Sequence, residues 1–276
     1  MPFISRGGGR RLHYNVVDVR APWSAAHAPI ILHHGIGAES GIWADWILRL
    51  GGDYPMVTFD MCGFGRSDVP DSTFSWSMKS LADDLLAVAD EAGAKTFHFI
   101  GESIGGTVGL FCATNQSARF ESLVISNGSY MGASVENVAK WDGQIDRSGV
   151  GGWSTQFMHD RFFPEALSRQ KWDWFHKQQA AGSKQAILGA LSALIETNLQ
   201  SKLSAITQPT LLLHGDSSPF IPVDVMADLH KMIPGSELQI FSHARHGLPF
   251  SHATECAAVV HDFLQRRTRA GQIAQT

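Results

Sequence analysis

Three positions far apart in this 276-residue sequence carry the side-chain types of a nucleophile, its base and an orienting acid. Ser103 stands in Gly101-Glu102-Ser103-Ile104-Gly105-Gly106, after the apolar run Thr96 to Ile100 and before Thr107 to Ala113, which can continue as a buried helix. A serine on so sharp a strand-to-helix turn needs small residues two before and two after it, and Gly101 and Gly105 meet that need. The turn lifts the hydroxyl to the sheet edge, beside a helix N-terminus that stabilises developing negative charge. In a chain with 27 glycines a Gly-x-Ser-x-Gly string arises easily by chance, so its weight comes from the strand before it and the helix after it.

A serine hydroxyl attacks only when a base takes its proton, and that base needs a third group to fix its tautomer. The base expected here is His246, between the last strand and the last helix. His243 lies too close to the strand end, while His252 and His261 belong to the helix. The acid expected is Asp216, the only carboxylate between Leu213 and Asp224, with support of its own turn as the alternative role. Negative charge on a tetrahedral intermediate calls for two main-chain N–H donors. Ile104, directly after the nucleophile, and Ile36, between Gly35 and Gly37, are placed to supply them.

The elements that must position these groups are legible from periodicity. Phe3 to Ser5 and Leu12 to Val17 read as an opening hairpin, and Pro29 to His34, Pro55 to Asp60, Thr96 to Ile100, Phe120 to Ser126, Pro209 to Gly215 and Glu237 to Phe241 as further strands. Helices are expected over Trp43 to Leu50, Met78 to Ala92 with Ser77 as cap, Val223 to Ile233 and Ala253 to about Arg267, with a frayed polar tail from Thr268. Strand and helix alternate, which predicts a doubly wound, mostly parallel sheet of eight strands. The alternation breaks over 127–208, where helical segments follow one another without strands. This stretch is expected to be a helical cap inserted after the sixth strand, with 1–126 and 209–276 as the core domain. Its aromatics would roof an apolar pocket over Ser103, with Trp141, Trp153, Phe163 and the cation Arg161 as candidate lining.

Composition bounds the partners. A hydrophobic content of 44% and a net charge of -4 describe a globular protein with no electrostatic reason to bind nucleic acid or an anionic membrane. Cys62, Cys112 and Cys256 lack disulfide or zinc spacing and read as buried thiols. Neither a signal-peptide core nor a membrane span is visible, so a cytoplasmic protein is expected. The histidines lack the carboxylate company of a hydrolytic metal site, so no metal or cofactor is expected. The oligomeric state is left open, a homodimer included.

Taken together, His34-Gly35-Ile36-Gly37, Asp60 to Asp68, the turn at Ser103, the loop at Asp216, and His246 before Asp262-Phe263-Leu264 resemble the α/β-hydrolase superfamily over nearly the whole chain. The spacing from His34 to Trp43, the helix ending at Gly93, and Arg161-Phe162-Phe163 are similar to its 3-oxoadipate enol-lactonase and esterase branch. The resemblance implies a serine hydrolase acting on a small carboxylic ester or lactone through an acyl-enzyme. Two alternatives are C–C bond hydrolysis of a ring-cleavage product and a hydrolase-fold receptor with slow turnover. The chain departs from the branch at Cys62 and Phe64. It departs also in the late-strand loop, where relatives place the acid three residues after the glycine and this sequence has Ser218.

Overall fold

The computed structural model describes residues 2–273. The chain opens with β1 (Phe3–Ser5) and β2 (Arg11–Val17), followed by β3 (Ile30–His33), α1 (Ala44–Leu50), β4 (Met56–Phe59), α2 (Met78–Glu91), β5 (Phe97–Glu102), α3 (Ile104–Asn115) and β6 (Phe120–Ser126). Three helices come next: α4 (Trp141–Arg161), α5 (Arg169–Ala180) and α6 (Lys184–Ile195). The chain then closes with β7 (Thr210–Gly215), α7 (Val223–Met232), β8 (Glu237–Phe241), α8 (Leu248–Ser251) and α9 (Ala253–Ile273). The last helix thus runs past Arg267, and the final residues of the expected frayed tail, 274–276, lie outside the described residues.

All eight strands join one sheet in the order β1-β2-β4-β3-β5-β6-β7-β8. β1 and β2 enter it antiparallel, and every pair from β4 through β8 is parallel, which is the sheet the alternation predicts. The central strands are apolar almost throughout because both faces are covered. Ile30 and Leu32 pack on one side with Trp43, Trp46 and Phe263, whereas Ile31 packs on the other with Leu81, Leu85 and Val108. α2 owes its start to Ser77, whose hydroxyl accepts the Ser80 N–H while the Ser80 hydroxyl accepts the Ser77 N–H.

From β3 the chain moves to β4 on one side and then to β5 on the other. The loops that leave β3 and β5 therefore diverge, and a crevice opens where two neighbouring strands end. Gly35-Ile36-Gly37 and Ser103 both border it, so close that a Cβ on Gly35 would lie 2.9 Å from that of Ser103. The segment between β6 and β7 reaches across it: Arg161, at the end of α4, and Gln179, in α5, both donate hydrogen bonds into the loop after β3. α4 is broken at Gly149, whose φ of 67° and ψ of 174° are not helical. Cys62, Cys112 and Cys256 are buried and free. Among the described residues no helix is long and apolar enough to cross a membrane.

Candidate active site

Ser103 sits between β5 and α3 with φ 58° and ψ -125°, a conformation that costs a residue with a Cβ about 1–3 kcal/mol. The surroundings enforce it. The Ser103 N–H donates to the Ser126 carbonyl at 2.8 Å, which ties the turn to β6. A Cβ on Gly101 would meet the Gly105 backbone at 2.6 Å, and one on Gly105 would meet the His33 carbonyl oxygen at 2.5 Å. Both glycines are therefore demanded by close approach of strand and helix.

The loop after β8 brings His246 to the turn, with Nε2 at 2.9 Å from Ser103 Oγ. The contact is held from behind by Asn127, fully buried at the end of β6. Its Nδ2 donates to the His246 carbonyl at 2.8 Å and its Oδ1 accepts the Gly215 N–H at 3.2 Å, so one side chain sets β7 and the histidine loop relative to each other. Burial, with the charge of Arg161 and then His214 behind it, pushes the His246 imidazole well below the ordinary histidine range. Its competitors lie elsewhere: His243 stacks on Phe163 at 4.2 Å and bonds Glu165, His252 bonds Ser251, and His261 bonds Asp53.

Asp216 does not orient His246. Its carboxylate accepts the His243 N–H at 3.0 Å, the Ala244 N–H at 3.3 Å and the Ser217 hydroxyl at 2.8 Å, so it folds the turn between β7 and the loop after β8. The reason is reach. One residue after Gly215 the chain has not yet turned toward the imidazole. Although loss of hydration raises the Asp216 carboxyl, these donors hold it below the usual carboxylate range. The group facing His246 Nδ1 is Ser218, whose Oγ lies 3.1 Å away.

Arg161 leaves α4 to end beneath the surface, 2% exposed. Its Nη1 lies 3.2 Å from Glu102 Oε1, its Nη2 donates to the Ile36 carbonyl at 2.6 Å, and its own carbonyl accepts the Gly247 N–H at 2.9 Å. The guanidinium also lies over the Phe157 and Phe175 rings, 5.0 and 5.2 Å from their centres. One residue thus touches the loop after β3, the turn at Ser103 and the histidine loop. Burial raises the Glu102 carboxyl and lowers the Arg161 guanidinium, and in each case the partner's charge opposes the change.

Ile36, Ser103, Arg161 and His246 border one apolar cavity, closed by Trp141, Phe157, Leu191, Leu194 and Phe220 among others. About 20 Å³ of it is open to the centre of a water-sized sphere, room for roughly one water. Of the candidate lining residues, Trp141 and Arg161 border this space. Trp153 stacks on Phe157 at 4.6 Å, and Phe163 packs against His243 and Arg245. Ile104, expected to supply an oxyanion donor, is the first residue of α3, where a helix leaves its amides without intrahelical acceptors. Sequence reasoning gave no role to Glu102, Asn127 or Ser218. A carboxylate ending an apolar strand was the available signal for Glu102, since such a group must find a cation. Among the described residues no cluster of histidine, cysteine and carboxylate side chains could hold a metal ion.

A sharp serine turn after β5, with a histidine delivered from beyond β8 across a mostly parallel eight-stranded sheet, defines a protein of the α/β-hydrolase class. The sequence model of the α/β-hydrolase fold matches residues 28–253, and the chain belongs to that family. It is 27% identical over 208 residues to 3-oxoadipate enol-lactonase 1 of Acinetobacter baylyi, covering 74% of this chain and 75% of that one. It is also 27% identical over 266 residues to a protein of Rhizobium rhizogenes named for carbamate hydrolysis, covering 93% and 99%. Among solved structures, the enol-lactonase from Burkholderia xenovorans superposes with a TM-score of 0.85 at 20% identity, covering 96% of this chain and all of that one.

Proposed function

We propose that this protein is a serine hydrolase that cleaves a carboxylic ester or lactone through an acyl-enzyme. Residues 127–208 act in this reading as a cap over a core of 1–126 and 209–276. The observation that carries it is the 2.9 Å contact between His246 Nε2 and Ser103 Oγ on a strained, glycine-flanked turn. Ser103 Oγ attacks the substrate carbonyl carbon as His246 Nε2 takes its proton. The tetrahedral oxyanion accepts the N–H groups of Ile36 and Ile104. The imidazolium then protonates the departing alkoxide, freeing an alcohol or opening a lactone ring. Water, deprotonated in turn by His246, releases the acid from Ser103.

A lactone and a carbamate, the bonds for which two relatives are named, both present an acyl carbon bearing a heteroatom leaving group, and the cavity beside Ser103 and His246 supports a reaction of that kind. Its walls are apolar, and Arg161 is its cation. Arg161 is engaged by Glu102 and Ile36, which makes it a brace of the oxyanion loop and a weaker candidate for binding a substrate carboxylate.

A test is intact-mass and peptide mapping after treatment with a fluorophosphonate, alongside turnover of 4-nitrophenyl butyrate, a lactone and a vinylogous diketone. We expect one adduct, on Ser103, and ester or lactone turnover that vanishes in Ser103→Ala. Full activity in Ser103→Ala would sink the reading. Labelling at Ser103 with turnover of the diketone alone would shift the assignment to C–C hydrolysis. Labelling without turnover of any of the three would favour a slow-turnover receptor, the second reading, which is supported by the neutral Ser218 hydroxyl that stands at His246 Nδ1.

A further inference from the structure

We propose that Ser218 is the third member of this relay, a positioning residue whose hydroxyl, 3.1 Å from His246 Nδ1, biases the ring of the base toward Nδ1–H where a carboxylate would ordinarily fix it. The inference rests on the reading of Ser103 as nucleophile and His246 as base.

The geometry is specific to the hydroxyl. Ser218 closes a turn of the loop after β7, its N–H donating to the Gly215 carbonyl at 3.3 Å, so its side chain is aimed at the histidine loop. The Ile221 N–H donates to Ser218 Oγ at 3.3 Å. A serine oxygen has two acceptor lone pairs, and with one occupied by Ile221 the other is available to Nδ1–H. That arrangement leaves Nε2 bare toward Ser103 Oγ, which is the state a general base needs. The reverse is also open to a hydroxyl: Ser218 O–H donates to Nδ1, Nε2 carries the proton, and Ser103 faces a donor. A carboxylate, being an acceptor only, would forbid that second state; Ser218 leaves part of the enzyme in it.

The second consequence concerns charge. When His246 takes the Ser103 proton, the imidazolium meets a neutral dipole at Nδ1. The charged and titratable groups that act on it are Arg161 from α4, itself paired to the Glu102 carboxylate, and His214 from the end of β7. The Asp216 carboxylate is turned toward the amides of His243 and Ala244. Removing the orienting aspartate of a serine protease costs about 10⁴ in kcat. With a hydroxyl at His246 Nδ1 this chain works without that charge, and an acid supplied at 218 would add it.

The experiment compares wild type with Ser218→Ala, Ser218→Thr and Ser218→Asp. It measures kcat, KM and the pH profile of kcat/KM on 4-nitrophenyl butyrate, the fluorophosphonate labelling rate at Ser103, and the ¹⁵N resonances of the His246 ring. Ser218→Ala is expected to lose roughly tenfold in kcat, with KM changed by no more than about twofold, and to lose the preference for Nδ1–H in the ring spectrum. Ser218→Thr keeps the hydroxyl and restores both. Ser218→Asp is expected to gain about tenfold or more in kcat and to move the acid limb of kcat/KM to higher pH, because a carboxylate favours the imidazolium. Wild-type kcat and pH profile in Ser218→Ala would overturn the proposal, as would a ring tautomer indifferent to residue 218. If Ser218→Asp does not fold, the alanine and threonine variants decide. Absence of wild-type labelling at Ser103 would defeat the hydrolase reading instead, while the ring spectra would still report on Ser218.

Discussion

Nη2 of Arg161 donates to the carbonyl of Ile36 at 2.6 Å, so the end of α4 holds the loop that faces Ser103 across the crevice. The same guanidinium neutralises Glu102, which is 1% exposed and directly precedes the nucleophile. Deleting one charge of a buried pair strands the other, at about 3–5 kcal/mol, whereas replacing both with neutral groups is often tolerated. Arg161→Met should therefore lower stability by about that amount in urea titrations, and the double variant Arg161→Met with Glu102→Gln should recover most of it. Recovery of kcat should not follow, because Ile36 stays unbraced in both. A loss of up to about a hundredfold is expected, the scale of one misplaced oxyanion donor. A double variant with wild-type kcat would show that Arg161 serves only to neutralise Glu102.

Asp216→Asn separates the two jobs an aspartate near this loop can have. An orienting acid would cost about four decades in kcat. The hydrogen bonds of Asp216 to His243, Ala244 and Ser217 instead lead us to expect less than a tenfold change, with stability lower by about 1 kcal/mol near neutrality for a group so open to solvent. Because the folded carboxyl is held low, its contribution is present above the unfolded pKa of about 3.9 and fades as pH falls through the folded value. A kcat loss of a thousandfold or more on any ester would show that Asp216 reaches His246 during turnover.

Two glycine substitutions distinguish lack of space from backbone strain. Gly105→Ala would set a Cβ 2.5 Å from the His33 carbonyl oxygen and 2.8 Å from that of His34, so strand and helix must part. A loss of about 1–3 kcal/mol or more is expected, together with most of the activity, since Ser103 moves with α3. Gly93, past the end of α2, has φ 71° but nothing within 4 Å of an added Cβ. Gly93→Ala should cost about 1–2 kcal/mol through strain and leave kcat unchanged. Equal effects of the two on kcat would contradict the assignment of Gly105 to the nucleophile turn.

Much of this arrangement was legible in the sequence because local pattern determined it. The apolar runs at Ile30 to His33 and Phe97 to Ile100 announce strands covered on both faces, and Ser77 with Gly93 brackets α2, so the sheet follows from periodicity and caps. The Ser103 turn was equally plain, since its glycines answer a steric demand within a few residues. What pattern does not carry is the direction of a side chain across a loop. Asp216 and Ser218 are two residues apart in one turn, and only the hydrogen bonds of the folded loop show that the serine points at His246 while the aspartate points at the amides of His243 and Ala244. Phe163 reads like a pocket residue beside Arg161, yet a reversal of the chain after α4 stacks it on His243. The pairing of Glu102 with Arg161 spans 59 residues, a separation at which periodicity says nothing.

The histidines give the fold a pH dependence that acts separately from catalysis. Burial lowers His33 to about 3, and His98 and His214 to about 4, and it lowers His34 and His246 as well. In the unfolded chain each returns to about 6.5. Below that pH the unfolded state binds protons that the folded state refuses, so stability falls as pH falls, by up to about 1.4 kcal/mol per pH unit for each histidine. Urea titrations between pH 8 and 5 should show the slope steepening below about 6.5. His98→Leu, at a site away from the reaction, should remove about one proton from that slope and leave kcat alone. The depressed His246 also keeps the base neutral in mildly acidic solution, so kcat/KM of the folded enzyme should hold below pH 6.5, its loss on further acidification following unfolding. A reversible loss of kcat/KM with a midpoint near 7 in protein that is still folded would show that His246 is not held in its neutral form by burial.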